Sequence, residues 1–177
     1  DAMRHQFEVN LFGLQELTNK LIPVFREQGG GRIVNISSVV GRLALPFMGI
    51  YSASKFALEA VSDAQRIELS PDSITVSIVE PGPIATRFST NCADEGEKEL
   101  DAERSRFGTA YRKYFDHRRD GGMAEDRFRL PPEAVAKKVV HALESPHPKI
   151  RYCVTLPAYL GSWAARFVPA GLIDRTM

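Results

Sequence analysis

Two β-branched segments with a helical segment between them constrain the fold more than any other feature of this sequence. They are RIVNISS, residues 32–38, and ITVSIVE, residues 74–80, and the helical pattern between them covers residues 51–69. Short apolar runs of this kind are typical of buried strands, and strand–helix–strand order with short links predicts a right-handed parallel crossover. The sequence therefore predicts an α/β fold, with a parallel sheet that has helices on both faces.

Three further segments complete this prediction. Leucine and phenylalanine recur at helical spacing before the first strand, and QGGG, residues 28–31, ends that helix. Pro132 suits the first turn of a helix through about Glu144, and RYCVTLP, residues 151–157, is predicted to be a last strand at the sheet edge. In the central helix, the apolar stripe consists of Ala57, Ala60, Val61, Ala64 and Ile67.

Composition and charge narrow the class of protein. At 177 residues, with 44% hydrophobic and 25% charged residues, the chain is one domain's worth of a globular protein. A net charge of +1 gives no preference for nucleic acid or an anionic membrane, so neither is expected as a partner. The two cysteines and four histidines lack metal-ligand spacing, so we expect no metal site and a reducing, cytoplasmic location.

Polar residues gather where the predicted strands end. Ser38 ends the first strand, Tyr51 and Lys55 lie near the start of the following helix, and PGP, residues 81–83, begins where the second strand ends. In open α/β sheets, ligands bind beyond the carboxyl ends of the strands. Spacing alone favours an accidental surface pair of Tyr51 and Lys55, but their convergence with Ser38 on one sheet edge favours a site.

These three side chains suit the interconversion of a carbonyl and an alcohol. Tyr51 and Lys55 are four residues apart, so the phenol and the ammonium share one helix face. A nearby ammonium favours the phenolate and lowers the phenol's pKa toward the range useful for acid–base catalysis. The Ser38 hydroxyl can donate a hydrogen bond to a carbonyl oxygen that becomes an alkoxide. The side chains supply no redox group, so hydride must come from a cofactor.

Residues 31–60, GRIVNISSVVGRLALPFMGIYSASKFALEA, resemble the catalytic core of the short-chain dehydrogenase/reductase family. That family consists of NAD(P)-dependent oxidoreductases with a Tyr-x-x-x-Lys motif and a Rossmann-like doubly wound sheet. Ser38 precedes Tyr51 by 13 positions, which is the interval usual in the family. The resemblance implies that Ser38, Tyr51 and Lys55 are catalytic, with Tyr51 as proton donor or acceptor. It also implies NAD or NADP as the cofactor, without deciding between them.

Two further motifs extend the resemblance over residues 4 to 88. VNLFG, residues 9–13, is similar to the segment with the family's catalytic asparagine, here Asn10, which in the family holds a water of a proton relay. EPGPIATRF, residues 80–88, is similar to the segment that borders the nicotinamide. The resemblance thus implies cofactor-binding roles for Tyr51, Lys55, Pro81, Gly82, Ile84 and Thr86.

Family features that bind the rest of the dinucleotide are missing from this sequence. It has no glycine-rich turn after a first strand and no Asn-Asn-Ala-Gly-like segment, and the glycines at 29–31 precede a strand rather than follow one. We therefore expect residues 1–177 to form a single, N-terminally truncated dinucleotide-binding and catalytic domain, the C-terminal part of a Rossmann-like sheet. This fragment alone is expected to be inactive.

Two segments bear on the substrate. Residues 89–130 are long and charged; solvated helices are one interpretation, and a substrate lid, which the family has there, is the favoured one. The apolar tail, residues 157–177, favours packing at the substrate pocket or a subunit interface over contact with a membrane surface. Its resemblance to the tails of retinol- and steroid-type members of the family implies a hydrophobic substrate.

Two functions remain open. The first is an oxidoreductase that acts on a small-molecule alcohol or carbonyl and is a homodimer or homotetramer when full length. The alternative is a non-catalytic α/β remnant that acts only as a binding or dimerisation module, through the helices at 4–27 and 51–69. The presence of Asn10, Ser38, Tyr51 and Lys55 together favours the oxidoreductase.

Overall fold

The computed structural model describes residues 2–99, 101, 104–119 and 128–173. Its sheet is parallel, with the strands in the order β1–β2–β3, and the three strands are Gly31–Ile36 (β1), Ile74–Glu80 (β2) and Arg151–Cys153 (β3). Helices flank the sheet. The predicted α/β fold is therefore confirmed, including the crossover through a helix between the first two strands.

Eight α-helices are present in the described part of the chain. They are Ala2–Phe7 (α1), Gly13–Glu27 (α2), Gly49–Glu68 (α3), Phe88–Glu99 (α4), Gly108–Arg119 (α5), Glu133–Glu144 (α6), Leu156–Phe167 (α7) and Ala170–Ile173 (α8). A π-helical segment, Glu8–Phe12, joins α1 to α2, and short 3₁₀ turns occupy Val39–Gly41 and Ser70–Asp72. None of these helices is both long and apolar enough to cross a membrane.

Helices cover both faces of the sheet, as the alternation of side chains along β1 shows. Ile33 packs with Phe25 of α2 in an apolar cluster, and Asn35, on the same face, donates to Ser62 Oγ of α3 at 2.8 Å. Arg32 points to the opposite face and donates to main-chain carbonyls at the C-terminal end of α6. Helices α2 and α3 thus lie on one face and α6 on the other.

The side of α3 that faces the sheet is not its most apolar side. Leu58, Ser62 and Gln65 are buried there, together with Ser54 and Glu59. Of the apolar stripe read from the sequence, Ile67 is 65% exposed, and Ala60 and Ala64 are exposed as well. An apolar stripe normally faces the core, so the hydrophobic pattern alone indicates the wrong face of this helix.

The predicted last strand is shorter than its sequence pattern suggests. β3 ends at Cys153, and Thr155 begins α7 as its N-cap, with its side chain accepting a hydrogen bond from Ala158 N. Pro157 lies in the first turn of that helix, where a residue without an amide hydrogen is tolerated. The β-branched residues of RYCVTLP favour a strand, but the Thr155 cap and Pro157 start a helix, so the strand is confined to Arg151–Cys153.

The chain divides into two compact units. The first contains residues 1–82 and 133–177, and the second contains residues 83–132. In the second unit, α4 packs on α5: the buried ring of Phe115 lies beside Gly96, and Arg119 pairs with Asp94 and Glu97. The segment interpreted as a lid, 89–130, lies in this unit. Its residues 100, 102, 103 and 120–127 lie outside the described residues, as do 174–177 of the tail.

Candidate active site

The ends of β1 and β2 bring Ser38 next to Pro81. Ile36, the last residue of β1, is paired with Val79 of β2. Two residues later Ser38 caps the 3₁₀ turn Val39–Gly41; its hydroxyl accepts from Val40 N at 3.3 Å and donates to the Pro81 carbonyl at 3.4 Å. Ser38 was predicted to lie in the strand, but its role as a cap places it just beyond the strand end.

Tyr51 and Lys55 lie in the first turns of α3, and Lys55 reaches the same strand end. Its Nζ donates to the Ile36 carbonyl at 3.0 Å and lies 5.9 Å from the centre of the Tyr51 ring. Both residues are partly buried. The structure therefore places the predicted phenol–ammonium pair together at the carboxyl edge of the sheet, beside the loop that carries Ser38.

Burial and one carboxylate set the protonation of Lys55. Removal from water lowers the pKa of Lys55, because burial penalises the charged form. The carboxylate of Glu59, one turn later on α3, raises it and opposes part of that effect. An ammonium with a lowered pKa is closer to exchanging its proton near neutral pH than a solvated lysine is.

Asn10 is linked to the Tyr51 turn through a buried serine. Asn10 lies in the π-helical segment, and its Nδ2 donates to Ser54 Oγ at 3.1 Å. Ser54 is fully buried, and its hydroxyl donates to the Tyr51 carbonyl at 2.8 Å. π-Helical turns are rare and frequently occur at functional sites. Ser54 was not predicted as a site residue; the signal available in the sequence was its position between Tyr51 and Lys55.

Gly82 lies where the loop after β2 meets the start of α7. A Cβ at this position would be 2.2 Å from Thr155 Oγ1 and 3.4 Å from Ala158 N. Thr155 is fully buried and caps α7, so neither group can move away at low cost. The close approach of the loop to α7 thus requires glycine at 82, for a packing reason that the sequence did not reveal.

Ile84 and Thr86 belong to the second unit, and their roles in binding a nicotinamide stay predictions. Ile84 forms an isolated parallel bridge with Leu130, and Arg129 Nε donates to the Ile84 carbonyl at 3.2 Å. The Thr86 hydroxyl accepts from Phe88 N at 3.3 Å, at the start of α4. These contacts order the backbone of residues 84–88 within their own unit.

The arrangement in the first unit can perform acid–base chemistry. A phenol, a partly desolvated ammonium and a hydroxyl lie around the carboxyl end of β1, and an amide is tied to the same helical turn. Among the described residues, no group of three or more His, Cys, Asp or Glu side chains is placed to hold a metal ion. The chemistry that these side chains support directly is proton transfer to and from an oxygen.

Comparisons with known proteins identify similar sequences. A family model described as "short chain dehydrogenase" matches residues 1–97. The chain is 41% identical to "Uncharacterized oxidoreductase YbbO" of Escherichia coli (strain K12) over 99% of its own length and 58% of that protein. It is 31% identical to the "NADPH-dependent 3-dehydrocapnine reductase" of Ornithobacterium rhinotracheale, over 99% of the chain and 61% of that protein.

A solved structure is similar in fold. A short chain dehydrogenase from Burkholderia cenocepacia J2315, crystallised in complex with NADP, superimposes with a TM-score of 0.69 at 23% identity. The match covers 98% of this chain and 58% of that one. The chain therefore spans about three fifths of the length of the proteins that it matches.

Proposed function

The chain belongs to the short-chain dehydrogenase/reductase family, and on that premise we propose that the protein is an NAD(P)-dependent oxidoreductase interconverting an alcohol and a carbonyl by hydride transfer. One observation carries the proposal. Lys55 Nζ is held by the Ile36 carbonyl at 3.0 Å, at the end of β1, and lies 5.9 Å from the centre of the Tyr51 ring. This contact keeps an ammonium beside a phenol at the sheet edge where α/β folds bind ligands.

Each catalytic side chain has a distinct task in the proposed reaction. Tyr51 donates its phenolic proton to the substrate oxygen in carbonyl reduction and takes it back in alcohol oxidation. The Lys55 charge stabilises the phenolate, and the Ser38 hydroxyl hydrogen-bonds the reacting oxygen as it gains negative charge. Asn10 supports the turn of α3 that carries Tyr51, through Ser54.

The loop after β2 fits the nicotinamide end of NAD(P). The packing of Gly82 against Thr155 fixes the loop backbone at the strand end. The residues that would hold this end are Pro81, Gly82, Ile84 and Thr86, together with Tyr51 and Lys55. The cofactor supplies the hydride that no side chain here can supply. The NADPH-dependent relative supports this choice of cofactor class.

An apolar helix face supports a hydrophobic substrate. α7 begins beside Gly82 and exposes large side chains at helical spacing: Leu156, Tyr159, Leu160, Trp163 and Phe167. This apolar surface lies next to the proposed site. Binding an apolar alcohol or carbonyl against it would be favourable, because apolar area is removed from water. The interpretation of residues 89–130 as a substrate lid remains part of the proposal.

Exposed apolar residues on α2 and α3 support a homo-oligomer. Leu17, Leu21 and Val24 are exposed on α2, and Phe56 and Ile67 are exposed on α3. A second copy that covers these faces would remove the apolar area from water. The same faces support the alternative function, a module that only dimerises, so oligomeric state alone does not separate the two functions.

The proposed activity is tested with the natural gene product and a panel of carbonyl compounds. Purified protein is mixed with NADH or NADPH and with hydrophilic or hydrophobic aldehydes and ketones, and the loss of reduced-cofactor absorbance is followed. We expect carbonyl-dependent oxidation of one cofactor, faster with the hydrophobic ketones. An oligomer that binds neither cofactor and oxidises neither would support the non-catalytic module instead.

A further inference from the structure

Four charged side chains from three elements meet beneath the proposed site, and we call them the Arg151 cluster: Arg151, Glu59, Asp63 and Glu80. Arg151 begins β3, and its guanidinium donates to Glu80 Oε1 at 3.1 Å, to Glu59 Oε2 at 3.1 Å and to Asp63 Oδ2 at 2.6 Å. The guanidinium thus ties the ends of two strands to the middle of α3.

Burial strengthens the electrostatic effect of these charges on neighbouring groups. Glu80 is fully buried and Glu59 is 5% exposed, whereas Asp63 is partly exposed. Glu80 also accepts from Ser162 Oγ at 3.1 Å and from the thiol of Cys153, whose pKa burial raises to about 11, so that it stays a donor. Charges in a low-dielectric environment act on their neighbours more strongly than solvated charges do.

Glu59 connects this cluster to the acid–base pair. It follows Lys55 by one turn of α3, on the same side of the helix. Arg151 fixes one carboxylate oxygen of Glu59, and Arg42 NH1 lies 3.8 Å from that oxygen. Gly41 packs between Ser37 Oγ, the Lys55 carbonyl and Glu59 Cγ, which leaves the carboxylate little freedom to move.

We propose that Glu59, held by Arg151, is a positioning residue that acts through Lys55: its carboxylate keeps charged the ammonium that the Ile36 carbonyl holds beside Tyr51. The inference rests on the proposed function, because it assigns Glu59 a task in the proton transfer of that site. In the proposed site, Glu59 touches neither substrate nor cofactor and acts through Lys55.

The direction of the effect follows from the charges around both groups. Burial lowers the pKa of Lys55, and Glu59 raises it. The polar and charged groups around Glu59 are Lys55 on α3, Ser37 after β1, Arg42 after the 3₁₀ turn, Glu80 on β2 and Arg151 on β3, and Arg151 also binds Asp63 of α3. The pKa of Glu59 lies above its ordinary value, because burial and the Glu80 carboxylate raise it more than Ser37 and Arg151 lower it; the two latter groups are the ones that favour the ionised carboxylate.

The test measures the protonation of Lys55 itself. The natural gene product and its Glu59→Gln variant are acylated briefly at a series of pH values, and the labelled fraction at Lys55 is measured by mass spectrometry, with exposed Lys137 as the internal reference. Only the neutral amine reacts, so the midpoint of labelling reports the pKa. In Glu59→Gln the Lys55 midpoint should move to lower pH, while that of Lys137 stays unchanged.

Asp63→Asn is the matched control. Asp63 binds the same guanidinium from the same helix but lies one turn farther from Lys55, so its variant should leave the Lys55 midpoint in place. If Glu59→Gln does not fold, Glu59→Asp takes its place. Its shorter side chain moves the negative charge away from Lys55, so the Lys55 labelling midpoint should shift to lower pH by a smaller amount. An unmoved midpoint in a folded Glu59 variant, or equal shifts with Asp63→Asn, would overturn the proposal.

This readout needs no substrate or cofactor. Its failure would remove Glu59 from the mechanism without touching the proposed oxidoreductase. Conversely, failure of the carbonyl panel together with a shifted midpoint would leave Glu59 as the group that controls Lys55, in a site whose reaction differs from the proposed one.

Discussion

Lys55 Nζ lies 5.9 Å from the ring centre of Tyr51 and donates to the carbonyl of Ile36, the last residue of β1. The second contact anchors the ammonium to the sheet, so its distance from the phenol does not depend on the flexible lysine side chain alone. The first places a positive charge beside the ring that carries the phenolic hydroxyl, and a nearby positive charge favours a phenolate. Secondary structure thus fixes the geometry of the proposed acid–base pair.

Replacing Lys55 with methionine should move the pH dependence of alcohol oxidation upward. Methionine keeps much of the bulk of the side chain but removes the charge that favours the Tyr51 phenolate, so the phenolate forms only at higher pH. The measurement is kcat/KM for oxidation as a function of pH, in Lys55→Met and in Lys137→Met, an exposed control on α6. A profile that stays in place in Lys55→Met would mean that Lys55 does not tune Tyr51.

Gly82→Ala should destabilise the protein by about 1–3 kcal/mol, the usual cost of overpacking a well-packed site. The new Cβ would lie 2.2 Å from Thr155 Oγ1, so the cap of α7 must shift. Denaturant unfolding of the natural gene product measures the change. Gly49→Ala is the control: nothing lies within 4 Å of its Cβ, and alanine suits the first turn of α3, so its stability should be unchanged or higher. Equal losses in both variants would contradict the packing argument.

Residues 1–177, produced as an isolated polypeptide, should bind NADH and NADPH weakly and turn over no substrate. In this sequence no glycine-rich turn that leads into a helix follows β1, β2 or β3, so backbone amides that could hold the pyrophosphate are missing there. Among the described residues β1 pairs only with β2, which leaves a strand edge open to self-association. Titration followed by cofactor fluorescence, with light scattering, tests both points. Saturable micromolar binding by a monodisperse polypeptide would refute this prediction.

The hydrophobic pattern predicts strands well where turn residues bound them. β2 was predicted at residues 74–80 and is Ile74–Glu80, because a β-branched run lies between Ser73, with a left-handed φ of 56°, and Pro81. The pattern fails for the orientation of α3. Its buried face carries polar groups, such as Ser62, which accepts from Asn35 of β1, and paired polar groups leave no apolar signal.

The candidate site was predictable only in its local part. Tyr51 and Lys55 lie one turn apart, so the sequence alone places them together. Arg151 and Glu59 are 92 residues apart, and their contact depends on the parallel pairing of β2 with β3. No local sequence pattern predicts such a contact, because many other pairs of arginine and glutamate in this chain would be equally plausible partners.

The most direct test of the proposed function is the Tyr51→Phe variant of the natural gene product, assayed with the carbonyl compound that the panel identifies. Phenylalanine keeps the ring and its packing but removes the transferable proton, so carbonyl reduction should fall by orders of magnitude while the unfolding transition stays in place. Lys137→Met, an exposed position on α6 outside the proposed site, is the control and should keep near-normal activity. Activity of Tyr51→Phe within a few-fold of the parent protein would contradict the assignment of Tyr51 as the proton donor.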